Sequence, residues 1–401
     1  MSRVAEVPLS VLDLVPVVAG SSVGEAFRNT VELAERAEAA GYHRYWLAEH
    51  HLNPGVAGAS PALAIALVAA ATSRIRVGAG AVQLGHRTAL SVVEEFGILA
   101  ALHPGRIDLG LGRSGFRLSE LRKGKPSTPE PEPAPDMPRP RPAPTASEPA
   151  SGTPWRTPEG LLVPRSFSFA RLADSPLFAR YQALVQFPGS EPVEYGAHVA
   201  DVLALLRGDY RTPEGMPARA VPGEGADVDV WVVGSGPGES ARVAGEAGLP
   251  FAAAYHIAPG AILDAVAAYR KAFRPSPALA EPYVLVSADA VVAPDDTTAR
   301  ELAAPYGLWV RSVRSGHGAI PFPTPAEAAR HRWTDEDRRL VEDRTTTQFV
   351  GSPRTVAAGL RALREATAAD EVVVTTITHD QADRIRSYEL LAEEWRASGP
   401  R

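Results

Sequence analysis

Three short stretches of this chain carry side chains whose types and positions could do chemistry. The first is Tyr45-Trp46-Leu47-Ala48-Glu49-His50-His51, an apolar run that ends in a carboxylate and two imidazoles. An apolar strand running into ionisable groups is how a barrel strand meets an active site, since its buried length is packing and its carboxyl end is chemistry. A surface turn with ordinary polar residues would read the same over these seven positions. In the barrel reading His50 is the candidate for proton transfer, because imidazole exchanges protons near neutral pH, and Glu49 is the neighbour that would orient it. Adjacent strand residues point to opposite faces, so Glu49, His50 and His51 cannot chelate one ion together. No His-Glu-x-x-His sequence is present, and no metal is expected.

The second stretch, Gly110-Leu111-Gly112-Arg113-Ser114-Gly115, matches the dinucleotide fingerprint G-x-G-x-x-G. A dinucleotide fold also needs a helix opening inside the motif and an acidic residue ending the next strand, whereas this chain runs into proline-rich sequence. The more economical reading places Arg113 just past a strand, where a guanidinium can hold a phosphate by paired hydrogen bonds or form an ion pair at the rim. The third stretch, Val232 to Ser240, puts the glycine-rich turn Gly234-Ser235-Gly236 between a strand and a helix. Amides freed at such a helix start favour an anion, although a loop needing glycine only for its bend fits equally well. His256 and His379-Asp380 also follow strands and could line the same mouth.

Those groups converge only if the elements carrying them are parallel strands with their carboxyl ends together. Strands are expected over Leu9–Val15, Tyr45–His51, Ile75–Leu84, Arg106–Arg113, Val228–Gly234, Phe251–His256, Tyr283–Val292 and Glu371–Thr376. Helices are expected between them. Ser22 opens the first helix as an N-cap and Gly41 closes it; Ser60-Pro61 and Ser352-Pro353 open two others. Eight strands each followed by a helix is the count of a closed (β/α)8 TIM barrel, an α/β fold forming one domain over residues 1–401.

Two interruptions stand out. Lys125 to Pro154 holds eleven prolines and almost no apolar residue, so it cannot bury enough surface to offset its ordering entropy. A disordered, proline-rich insertion after strand 4 is expected over 120–165. After strand 7, a polar stretch to about Thr347 reads as a second, irregular insertion.

Composition limits the function classes. With 45% hydrophobic and 22% charged residues the chain has ample core, and a net charge of −6 with interspersed basic residues argues against nucleic acid as a partner. The absence of cysteine excludes disulfides and thiolate chemistry. Glu6 and Pro8 interrupt the place of a signal-peptide core, and the longest apolar run, Ala62 to Ala71, is half a membrane span. A cytoplasmic protein with no membrane partner is expected.

Three segments together resemble bacterial-luciferase-like flavin monooxygenases: Tyr45 to His51, Arg74-Ile75-Arg76-Val77-Gly78-Ala79-Gly80-Ala81-Val82, and His103-Pro104-Gly105-Arg106-Ile107-Asp108-Leu109-Gly110-Leu111-Gly112-Arg113. The likeness runs from Leu9 to Arg113 and, more loosely, from Val228 to Trp395, and its nearest group is the luciferase-like oxygenases of polyketide tailoring, within antibiotic biosynthesis. It implies a barrel, usually a homodimer, that takes reduced FMN from a separate flavin reductase and uses it with O2 to oxygenate a hydrophobic small molecule. By position His50 matches the catalytic histidine. Gly80-Ala81, whose peptide is often cis in the family, lies with Val82 against the flavin ring, and Gly112-Arg113 and Gly234-Ser235-Gly236 match the phosphate-binding places. His51, Gln83 and His256 are expected in the substrate pocket. Gln83, Gly85 and Arg87 depart from the family, in which apolar residues or proline are common there, and the basic stretch Arg117 to Lys125 also departs. A deazaflavin-dependent hydride transfer on the same barrel, or a flavin-binding carrier without turnover, are the alternatives.

Overall fold

The computed structural model describes residues 7–113, 153–168, 172, 175–185 and 193–398. Eight parallel strands close on themselves: β1 (Leu9–Asp13), β2 (Arg44–Leu47), β3 (Arg76–Gln83), β4 (Ile107–Gly112), β5 (Val228–Gly234), β6 (Phe251–Ala254), β7 (Val284–Val292) and β8 (Glu371–Thr375). Each pairs with its neighbour in sequence, and β8 returns to β1 with Leu9 opposite Val372, so the barrel closes, and a short ninth strand, Phe349–Gly351, pairs with the end of β7. The outer ring is formed by α1 (Val23–Ala40), α2 (Pro61–Ala71), α3 (Ala89–Leu102), α4 (Tyr195–Arg207), α5 (Glu239–Glu246), α6 (Ile262–Ala272), α7 (Pro353–Thr367) and α8 (Gln381–Ala397). The expected (β/α)8 barrel is therefore the fold.

Local chemistry sets the boundaries of these helices. The Ser22 hydroxyl accepts from the Glu25 amide to start α1, and Gly41 ends it in the left-handed region at φ 83°, where its amide reaches the last free carbonyls. Strand residues alternate between two cores. Tyr45 and Leu47 of β2 pack outward on the helices, while Trp46 and Ala48 point into the barrel with Leu12, Trp231, Leu285 and Val373.

The amino-terminal end of the barrel is plugged by charge. Arg44 reaches Glu371 at 3.1 Å and Asp108 at 2.9 Å, Arg76 reaches Asp108 at 2.7 Å and Asp229 at 2.6 Å, and the Trp46 indole N–H donates to Asp108 at 2.9 Å. Charges this deep persist only when mutually paired, because each costs several kcal/mol to desolvate alone. Trp46 and Trp231 meet edge to face above them at 5.1 Å. Access to the interior is left to the carboxyl ends of the strands.

Both insertions differ in part from expectation. Residues 114–152, which carry most of the proline-rich stretch, lie outside the described residues, but 153–165 is not loose. Trp155–Arg156 pairs antiparallel with Leu162–Val163, Leu161 and Val163 are buried, and the Tyr255 hydroxyl donates to the Leu162 carbonyl at 2.7 Å. A helix at Pro176–Val185 follows. The second insertion is helical, not irregular, over Asp296–Ala303, Pro305–Arg314, Pro325–Arg330 and Asp335–Thr347. Capping boxes at Thr324/Glu327 and Thr334/Asp337 start the last two. Their buried faces carry paired charges such as Arg314 with Asp343, and this masks the apolar period that would mark a helix. No described helix is long and apolar enough to cross a membrane.

Candidate active site

β2 ends at Leu47, and its extension delivers Glu49, His50 and His51 to the open end. Alternation from Trp46 and Ala48 carries His50 toward the barrel interior, where its Nδ1 is buried with no hydrogen-bond partner. Burial, reinforced by neighbouring His51 and only partly opposed by Glu49, lowers the His50 pKa to about 4. At neutral pH it is an uncharged imidazole with one ring nitrogen unengaged, in a state to hold or move a proton.

Glu49 turns the other way. Its Oε1 lies 2.9 Å from His51 Nε2, 3.0 Å from His86 Nε2 and 3.2 Å from Arg87 Nη2, while Oε2 accepts from the Gln83 amide at 2.8 Å. Burial opposes the charge, but the hydrogen bonds from His51, His86 and the Gln83 amide, with the Arg87 charge, hold its carboxyl down to about 2. The expectation that Glu49 orients His50 is thus corrected: it fixes the wall behind His50. Gln83 is part of that wall, donating from its side chain to the Glu49 carbonyl at 2.6 Å and accepting from the Tyr181 hydroxyl.

The metal expectation considered only consecutive residues and missed His86. Glu49, His51 and His86 each aim one possible ligand atom at a common place, all within 4.8 Å of one another. The Arg87 guanidinium sits on the same carboxylate oxygen, however, so a fixed cation already neutralises it. The cluster reads as an ion-pair hub.

Across the barrel, His256 Nδ1 bonds the Ser287 hydroxyl, and burial, the Arg344 charge and His50 together push its pKa well down. Beside it Arg344 lies 3.0 Å from Asp289, and Tyr306 hydrogen-bonds both. Burial raises the Asp289 pKa despite these partners. Arg344 and Tyr306 come from the second insertion, which sequence reasoning set aside as irregular. His379 is structural, 3.1 Å from the Ala19 carbonyl, and Asp380 caps α8. A cavity of about 530 Å³ lined by Tyr306, Trp333 and Arg338 lies among the insertion helices, and neither His50 nor His256 lines it.

The β3–β4 ladder is interrupted at the mouth. Ala79 faces Leu109 and Val82 faces Leu111, so Gly80 and Ala81 bulge between them, and the Gly80–Ala81 peptide is cis. A Cβ on Gly80 would come within 3.0 Å of Leu12 and Trp46, and one on Gly110 would lie 2.1 Å from the Ala79 carbonyl oxygen. These glycines are therefore needed for close packing inside the barrel. Val82 is buried, and Gly112 faces Gln83 in the ladder. Gly110 and Gly112 lie within β4, so the dinucleotide-like motif begins as strand.

Arg113, just past β4, meets the turn after β5 because those two strands are paired, with Leu111 opposite Val232. Its guanidinium lies 2.9 Å from Glu239, the first residue of α5, and over the Tyr195 ring at 5.8 Å. Gly234 is packed against Ser240 and Phe251, whereas side chains at Gly236 or Gly238 would enter open space. A cation, an open glycine turn and a helix start thus share one corner, which suits a phosphate monoester, and the Glu239 carboxylate is the anion held there.

The luciferase-like monooxygenase family model matches residues 8–141 and 202–370. A luciferase-like monooxygenase of Escherichia coli (strain K12) is 31% identical over 384 residues, 96% of this chain and 96% of that protein. The crystal structure of apo-MsnO8 superposes with a TM-score of 0.73 at 29% identity, covering 98% of this chain and all of that one (100%). The oxygenating constituent of 3,6-diketocamphane monooxygenase from Pseudomonas putida, solved in complex with FMN, shares the fold at a TM-score of 0.59 and 19% identity, covering 98% of this chain and 99% of that one.

Proposed function

Since the chain belongs to the luciferase-like monooxygenase family, we propose that it is a cytoplasmic two-component enzyme that receives reduced FMN from a separate flavin reductase and uses O2 to oxygenate a hydrophobic small molecule, such as a natural-product intermediate. One observation carries this reading. His50, the Gly80–Ala81 bulge, Arg113 and the Gly234–Gly236 turn lie toward or just past the carboxyl ends of four successive paired strands, at one end of the barrel. The FMN complex of the diketocamphane enzyme, which shares the fold, supports a flavin-type cofactor.

When bound, flavin supplies the activation of oxygen. The protein contributes binding, positioning and proton control. Arg113 and the amides at the start of α5 would hold the phosphate, and the Gly80–Ala81 bulge would stand beside the ring. His50, uncharged at neutral pH, holds or moves a proton at its ring nitrogen. Leu14, Val56, Phe322 and Ile377 add an apolar side to this polar cluster, which favours a hydrophobic substrate. His51 and Gln83 shape the wall through Glu49, and His256 faces the substrate from β6.

Leu63 and Leu67 of α2 and Ile98 and Leu102 of α3 are exposed apolar side chains one helical turn apart on their helices, and we propose that a second copy of the chain covers them. Anaerobic titration tests the cofactor: tight binding of reduced FMN supports the reading, and preference for reduced deazaflavin replaces it with hydride transfer. Binding with no effect on the reaction of flavin with oxygen makes the chain a carrier.

A further inference from the structure

We infer that Glu239 is a resident counter-anion whose competition for Arg113 sets how strongly this site prefers phosphorylated over unphosphorylated flavin. The inference rests on the flavin-binding reading above and adds a specificity residue to it. Arg113 is mostly buried, and its guanidinium is 2.9 Å from a Glu239 carboxylate that is itself only about one-fifth exposed (21%). A phosphate that takes the same edge of the Arg113 guanidinium must displace that carboxylate. Glu194 stands close to Glu239, with its carboxylate held in place by the Gly196 and Ala197 amides at 3.1 and 2.8 Å, where it caps α4.

A dianionic phosphate entering this corner therefore loses affinity twice, by breaking the Arg113–Glu239 pair and by standing near carboxylates. Riboflavin bears no phosphate and does neither. The free energy of binding the phosphate is thus reduced by a group that leaves the rest of the flavin untouched. The same pair holds Arg113 in place when no anion is bound, which keeps the arginine ordered for capture.

The test is titration of FMN and of riboflavin into the wild-type protein and into Glu239→Gln and Glu239→Asp, followed by flavin fluorescence at low salt and again at about 0.15 M salt. Glu239→Gln is expected to tighten FMN about tenfold at low salt, less at the higher salt, and to leave riboflavin within about twofold. Glu239→Asp, which keeps the charge, should stay near the wild-type ratio. Inorganic phosphate should compete with FMN more effectively in Glu239→Gln. Unchanged or weaker FMN binding in Glu239→Gln, with an unaltered melting temperature, overturns the inference. Parallel changes in both flavins overturn it too, because Glu239 would then act on the shared part of the ligand. If the wild-type protein binds riboflavin and FMN equally, the phosphate corner is wrong while flavin binding stands; if it binds neither, the flavin reading itself fails.

Discussion

Replacing Glu49 by glutamine should destabilise the folded protein by about 3 kcal/mol at neutral pH, because a carboxyl ordinarily at 4.5 is held at about 2 in the folded state. The sign follows from linkage. A depressed carboxyl contributes stability that is fully present above its unfolded pKa and is lost as pH falls toward the folded value. The wild-type advantage should thus be constant from pH 7 down to about 5 and should shrink between 4.5 and 2. Geometry gives the same size: one buried oxygen takes donors from His51, His86 and Arg87 at 2.9, 3.0 and 3.2 Å, and breaking a buried pair costs about 3–5 kcal/mol. Glutamine keeps the shape but turns an amide N–H₂ or a neutral oxygen toward three donors. Equilibrium urea unfolding of both proteins, followed by tryptophan fluorescence from pH 7 to pH 4, measures the difference. A loss below about 1 kcal/mol at pH 7 would refute the hub, since removing the charge of a carboxylate so placed cannot be that cheap.

His50→Ala should lower turnover about 100-fold or more while FMN binding stays within a few-fold, as steady-state kinetics and titration would show; unchanged turnover would remove its proton role. The acid limb of kcat/KM for the wild-type protein should fall near pH 4, not near 6.5, because burial keeps His50 uncharged over that interval. Placing a glutamate at Leu67 or Ile98 should convert a dimer to a monomer in light scattering with no change in the monomer's fold; a wild-type protein that is already monomeric contradicts the apolar-face reading.

The barrel was legible because each of its strands is a short apolar run, and the helices between them announce their ends with Ser22, Gly41, Ser60-Pro61 and Ser352-Pro353. The polar residues at strand ends were legible for the same reason, as they interrupt an apolar pattern. What stayed hidden depended on long-range pairing. Nothing local in Glu49 shows that its carboxylate would face His86 and Arg87 instead of His50, and nothing in Arg344 or Tyr306 shows that they enter the barrel beside Asp289. Buried charges that satisfy one another look, in sequence, like solvated loop. Arg113 shows both limits at once: its place past β4 could be read, but its engagement by Glu239 could not, since it depends on the start of a helix more than a hundred residues later.

The central claim is that this barrel binds reduced FMN and controls its reaction with oxygen. Rapid mixing of the protein and reduced FMN with oxygenated buffer, followed by absorbance, tests it most directly. A long-lived absorbing species distinct from both reduced and oxidised FMN is expected, with a lifetime shortened in His50→Ala. Return to oxidised FMN at the rate seen without protein would contradict it.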